Sequence, residues 1–210
     1  MNGTAHAAIG AATGFIVANT FHTSPSTTLF LVGLGGISGL VPDLDIEGKL
    51  RGKITLSHKL IRIAAQLIGI LMVFYSIYEG GSNEKWIGIG IGIGTGMMIT
   101  SLLIKQKHML TITGIGVVAG GFSLAEIWLI LLGIYILIAS LVSHRSYTHS
   151  ILGVIFFGII ASKLEISLGI DGVFYTCLAG YISHLIGDIK ILPFNKRGIK
   201  LFLPVSSKEI

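Results

Sequence analysis

The chain has 210 residues, of which 52% are hydrophobic and only 12% charged, and its mean hydropathy is +0.84. That composition excludes an ordinary soluble domain, and because a helix needs about 20 mainly apolar residues to cross a bilayer, the length admits about eight to ten crossings and no second, soluble domain. The net charge of +5 comes without a basic cluster set in a polar, foldable module, which argues against nucleic acid as a partner, and the single Cys177 excludes an intramolecular disulfide or a CxxC site.

The first apolar segment covers residues 5–22. No Lys or Arg precedes Lys49, so the charged start of a cleavable signal peptide is missing and this segment is expected to stay on the protein. Further apolar segments follow at 27–41, 61–79, 86–104, 109–122, 126–143, 150–168 and 172–187. Two of them, 27–41 and 109–122, are short for a full crossing and suit tilted, membrane-thinning or re-entrant helices. The expected fold is therefore an all-α, polytopic membrane bundle of six to eight helices, with residues 1–210 forming a single domain.

Within 86–104, Gly88, Gly90, Gly92, Gly94 and Gly96 give GxxxG spacing at 88/92/96 and at 90/94, a pattern that lets helices approach closely in lipid. A phosphate-binding glycine loop would need a strand before it, and none is visible. With eight crossings, the loops 42–60, 105–108 and 144–149 and the tail after 188 share one side. Helix ends included, that side holds every Lys and Arg of the fifteen except Lys85 and Lys163, and is expected to be cytoplasmic.

The same side gathers six of the seven histidines, His6, His58, His108, His144, His149 and His184, with Asp43, Asp45 and Asp188 at the ends of spans. Ionisable groups at membrane depth are costly unless paired, hydrated or bound to metal, so this concentration points to one site. His58 and His108 adjoin Lys59 and Lys107 and read as solvated interface residues.

Three local patterns define the site. In His184-Leu-Ile-Gly-Asp188 the i,i+4 spacing stacks imidazole and carboxylate on one helix face, which suits either chelation of a cation or a hydrogen bond fastening the helix. In Ser143-His-Arg-Ser-Tyr-Thr-His-Ser150, Thr148 or Ser150 can cap the following helix, which accounts for the hydroxyls but not for the histidines. His144 and His149 offer a metal ligand and a proton-transfer group, and Arg145 a planar fork for phosphate or carboxylate. In Leu40-Val-Pro-Asp-Leu-Asp45, Pro42 ends a helix and the two carboxylates point to opposite sides of an extended loop, or simply belong to a Pro-Asp turn.

In this order, His6, Pro42-Asp43-Leu44-Asp45, His144-Arg145-Ser146-Tyr147-Thr148-His149-Ser150 and Gly180-Tyr181-Ile182-Ser183-His184-Leu185-Ile186-Gly187-Asp188 resemble the YdjM-like family of bacterial inner-membrane, metal-dependent hydrolases. The glycine-to-proline ending Gly198–Pro204 is similar too, although residues 189–197 separate it from Asp188 by more than relatives usually have. The family bears a looser likeness to zinc-dependent phospholipase C. That likeness implies Asp43, His149, His184 and Asp188 as the metal shell, His6 and Asp45 as ligands of a second ion or supports of the first, and His144 and Arg145 as catalytic groups.

The implied protein is a multi-pass enzyme of the bacterial cytoplasmic (inner) membrane with its site facing the cytoplasm. A divalent metal, zinc first and manganese or magnesium after it, would activate water without a Ser or Cys nucleophile. Arg145 would hold an anionic oxygen and His144 would assist the leaving group, which favours a phospholipid or lipid-linked phosphate as substrate. The competing readings are a divalent-cation or proton transporter, which needs polar residues at mid-span and on both sides, and a non-catalytic scaffold stapled by the same metal.

Overall fold

The computed structural model describes residues 1–44, 58–79, 84–103, 106–143, 145–190 and 198–210. Among them are eight α-helices and no strand: α1 (Gly3–Thr20), α2 (Pro25–Ser38), α3 (His58–Glu79), α4 (Glu84–Leu102), α5 (Gln106–Leu124), α6 (Ile127–Ala139), α7 (Ile151–Leu168) and α8 (Val173–Gly187). Short 3₁₀ turns lie at Val41–Leu44, after α2, and at Tyr147–His149, before α7. The all-α expectation holds, and each of the eight apolar segments carries one helix. Two stretches, Ile61–Tyr78 and Ile151–Leu168, are long and apolar enough to cross a membrane, and five further helices are apolar but shorter.

The helices divide into two compact units, Met1–Arg51 with Leu110–Ile210, and Gly52–Met109. In the smaller unit α3 and α4 form a hairpin. A Cβ at Gly94 would come within 2.7 Å of the Gly69 carbonyl oxygen, and one at Gly90 would strike Ser76, whereas Gly88, Gly92 and Gly96 face open space. Only the 90/94 half of the glycine pattern is therefore spent on packing within the hairpin.

In the larger unit, which buries large apolar side chains such as Leu31, Phe157 and Ile160, α1 shows the reverse of the usual globular pattern. Along α1 the buried positions are His6, Gly10, Gly14 and Ala18, one per helical turn, while Phe15 and Ile16 are 58% and 62% exposed. Small residues inside and large apolar ones outside are what a lipid environment selects, because close backbone approach, and not water exclusion, holds the helices together. The antiparallel α1–α2 pair follows this rule, since a Cβ on Gly10 would strike the Gly35 carbonyl oxygen and one on Gly39 would lie 2.7 Å from the His6 carbonyl oxygen. A Cβ on Gly180 of α8 would in turn reach 2.7 Å from the Gly35 oxygen, so three helices meet at that glycine.

Local signals set the helix ends that matter for function. Ser24 accepts a hydrogen bond from Thr27 N at the start of α2, with Pro25 in the first turn. The helix stops at Gly39, ahead of Pro42, which lies inside the 3₁₀ turn and does not itself end α2 as the sequence suggests. Ser150 caps α7 by accepting from Gly153 N at 3.4 Å, and Ile151 N donates to the Leu201 carbonyl, tying the C-terminal segment to the same helix end. The start of α1, the ends of α2 and α8 and the start of α7 thus lie together.

Candidate metal centre

Four side chains from three separate stretches converge at this end of the larger unit: Asp43 from the turn after α2, His149 from the turn before α7, and His184 and Asp188 from the end of α8. Their ligand atoms all lie within 4.8 Å of one another. His184 Nε2 is 3.2 Å from His149 Nε2, 3.6 Å from Asp43 Oδ1 and 3.8 Å from Asp188 Oδ2. His149 Nε2 is 3.7 Å from Asp43 Oδ1 and 3.9 Å from Asp188 Oδ2. Atoms sharing one small divalent ion at about 2.0–2.2 Å lie roughly 3–3.6 Å apart, so the cluster has nearly the dimensions of a metal shell.

The proton positions support that fit. His184 Nδ1 lies 2.7 Å from the Gly39 carbonyl oxygen. A carbonyl only accepts, so Nδ1 carries a proton and Nε2 is the ring nitrogen turned into the cluster. The 3.8 Å between His184 and Asp188 is too long for the hydrogen bond that would merely fasten the helix. His149 Nδ1 is 3.1 Å from Thr148 Oγ1, leaving its Nε2 inward as well. Both imidazoles are fully buried, and two carboxylates face the same point at distances beyond hydrogen bonding. A divalent cation satisfies all four groups at once.

Asp188 is the most heavily supported of them. Its Oδ1 accepts from the Met1 ammonium at 3.0 Å and lies 3.3 Å from His6 Nε2, while Oδ2 accepts from Arg145 at 3.0 Å. Burial pushes the carboxyl pKa up, but the His6 and Met1 donors and the Arg145 charge outweigh it and hold Asp188 below the ordinary carboxylate range. Arg145 reaches this position from a left-handed backbone, φ 58°, where a non-glycine residue is uncommon.

His6, weak as a local signal, is buried against the cluster. Its ring stacks on His184 at 3.8 Å between centroids, in a space that exists because Gly187 has no side chain: a Cβ there would sit 3.0 Å from His6 Cε1. His6 therefore supports Asp188 and His184 from behind. Arg145 stands beside the cluster in an ion pair with Asp188. Asp45 and His144 lie outside the described residues.

Sequence reasoning missed the groups that orient the ligands. The Gly39 carbonyl is a backbone atom with no signature of its own. Tyr181, three residues before His184 and so on nearly the same helix face, donates to the Thr148 carbonyl and shares a 3.0 Å hydrogen bond with Tyr135 Oη. That placement was readable from the spacing. Thr148→Val removes the Oγ1 partner of His149 at nearly constant volume. It is expected to weaken metal binding about 10–100-fold with the fold intact, measured by competition against a chelator.

Helices as the main element of the described residues, with many apolar side chains turned outward and a buried His/Asp cluster able to hold a metal ion, define the class of this protein. The chain belongs to the YdjM inner membrane protein family, whose model matches residues 1–210, and is therefore associated with the lipid bilayer. No curated protein and no solved structure matches it.

Proposed function

We propose that the protein is a membrane-bound, metal-dependent hydrolase that cleaves a phosphoester of a phospholipid or lipid-linked phosphate at the cytoplasmic face of the inner membrane. The observation that carries this reading is the convergence of two inward imidazole nitrogens and two carboxylates on one point. A divalent ion bound there, zinc first, supplies a Lewis acid and lowers the pKa of water, as the likeness to phospholipase C also implies.

The chain's own residues do the rest. Gly39 holds the His184 ring with its Nδ1 proton, and the Thr148 hydroxyl contacts His149 Nδ1, so both rings present Nε2 to the ion. Arg145 balances Asp188, so a divalent ion set against the remaining charge of Asp43 leaves the site net positive before the Met1 ammonium is counted. A positive site favours an anionic phosphoester over a neutral amide. Arg145, whose side chain is 22% exposed, is the group to hold an anionic oxygen, and His144, next to it in sequence, is assigned the proton for the leaving group. The charge bias of the loops supports a cytoplasmic orientation for this end.

The test is release of phosphorylated headgroup or free phosphate from lipid vesicles by the metal-loaded protein. Arg145→Gln is expected to lower kcat/KM per bound metal by roughly 10–100-fold, the effect of losing a charge-assisted hydrogen bond of about 1.5–3 kcal/mol, with metal content measured alongside because the substitution also removes a partner of Asp188. Absence of turnover on every lipid phosphoester overturns the reading. The complete burial of His149 and His184 favours a second reading, a closed structural metal site; metal removal that lowers thermal stability in a protein without turnover would select it.

A further inference from the structure

Beside the cluster, between α6 and α7, lies a cavity of about 190 Å³. Its walls include Tyr135 and Ile138 of α6, Tyr147 and Thr148 of the 3₁₀ turn, and Leu152 and Phe156 of α7, with no charged side chain among its lining. Tyr135 at its floor is 4% exposed, whereas Ile138, Tyr147 and Leu152 at its mouth are 44%, 41% and 46% exposed. The cavity is therefore mainly apolar from floor to rim and opens between the aliphatic Ile138 and Leu152 and the ring of Tyr147. Its volume falls below the roughly 300–1,000 Å³ of pockets that enclose whole small molecules, and suits a segment of one flexible hydrocarbon chain.

The cavity and the candidate metal centre share a wall. Thr148 lines the cavity and its Oγ1 lies 3.1 Å from His149 Nδ1. Tyr181 donates to the carbonyl of the same Thr148 and bonds through its hydroxyl to Tyr135 at the cavity floor. A chain lying in the cleft therefore ends within a residue or two of the cluster. In a protein of an inner membrane family, the hydrocarbon that reaches an apolar cleft with an apolar mouth is that of the surrounding lipid.

We propose that this cleft receives an acyl chain of a phospholipid and so carries the phosphate at its head to the cluster. The inference rests on the hydrolase reading for the fate of that phosphate, while occupation of the cleft is tested separately. The experiment reconstitutes the full-length protein in vesicles of phosphatidylethanolamine and phosphatidylglycerol containing a phospholipid with a photoactivatable diazirine in its acyl chain. After irradiation, adducts are mapped by mass spectrometry.

Severalfold enrichment of adducts on Tyr135–Ile138 and Leu152–Phe156, relative to the lipid-exposed Phe15 and Ile16 of α1, is the expected result. Leu152→Trp, which fills the mouth, is expected to reduce that enrichment to the α1 level; Ile138→Trp on the opposite wall provides a second variant where the first does not fold. Even labelling of all lipid-facing helices, or enrichment unchanged in a folded Trp variant, overturns the proposal. Enriched labelling in a metal-loaded protein that cleaves no phosphoester keeps the chain site and removes the hydrolase reading. Turnover without enrichment does the reverse.

Discussion

Purified in detergent, the protein is expected to retain near-stoichiometric divalent metal by elemental mass spectrometry, and the double variant His184→Ala, Asp188→Ala almost none. The two substitutions remove half of the four-residue shell, including the imidazole whose Nδ1 proton is held by the Gly39 carbonyl. They also remove the carboxylate that Arg145 pairs with at 3.0 Å, and breaking a buried ion pair from one side costs about 3–5 kcal/mol, so loss of metal through unfolding has to be separated from loss of a ligand. Asp43→Asn makes that separation. It keeps the side-chain volume and removes one anionic ligand that Arg145 does not balance, and the affinity is expected to fall more than the roughly 10–100-fold typical of groups behind the ligands. Wild-type protein that binds no more metal than the variants, even after metal supplementation, overturns the assignment.

The second large effect concerns packing. Gly35→Val is expected to destabilise the protein by about 3 kcal/mol or more, because its Cβ would strike the Gly10 carbonyl oxygen and lie 3.1 Å from Gly14 Cα, contacts with backbone that no rotamer change relieves. Gly180 packs against the carbonyl of the same residue, so α8 is displaced along with α1. Gly33→Val, on the same helix but with nothing within 4 Å of its Cβ, is the control and is expected to stay within about 0.5 kcal/mol of wild type. Thermal unfolding in detergent reads both. Equal transition temperatures for the two variants would contradict the three-helix junction.

Much of this arrangement was legible in the chain, and the parts that were not have physical reasons. Apolar runs mark helices well, because a run of apolar residues leaves the backbone few ways to satisfy its hydrogen bonds other than a helix. The eight runs therefore found the eight helices. Ends were less readable: the run at 27–41 continues past Ser38, but Gly39 and Leu40 already leave the helix and Pro42 begins nothing new beyond the 3₁₀ turn. The i,i+4 pair His184 and Asp188 was visible because both belong to one helix. The contact of Arg145 with Asp188 was not, since it joins residues 43 apart and needs the left-handed backbone at Arg145. His6 could be suspected only from its companions; its stacking on His184 depends on the space left by Gly187, which the sequence shows only as another glycine among many. The glycines at 88, 92 and 96 matched the same pattern as 90 and 94, and only the structure separates those that pack from those that do not.

The hydrogen bond from His184 to Gly39 links residues 145 positions apart, and its consequence concerns biogenesis. During synthesis Asp43 emerges early, His149 much later, and His184 with Asp188 near the end. The nascent chain therefore has no complete shell with which to capture a metal ion until α8 has been threaded in and docked against α1 and α2. The four-residue cluster is in this way reserved for chains whose last helix has reached its place, and a stalled or truncated product lacks half of the groups that could hold a metal ion.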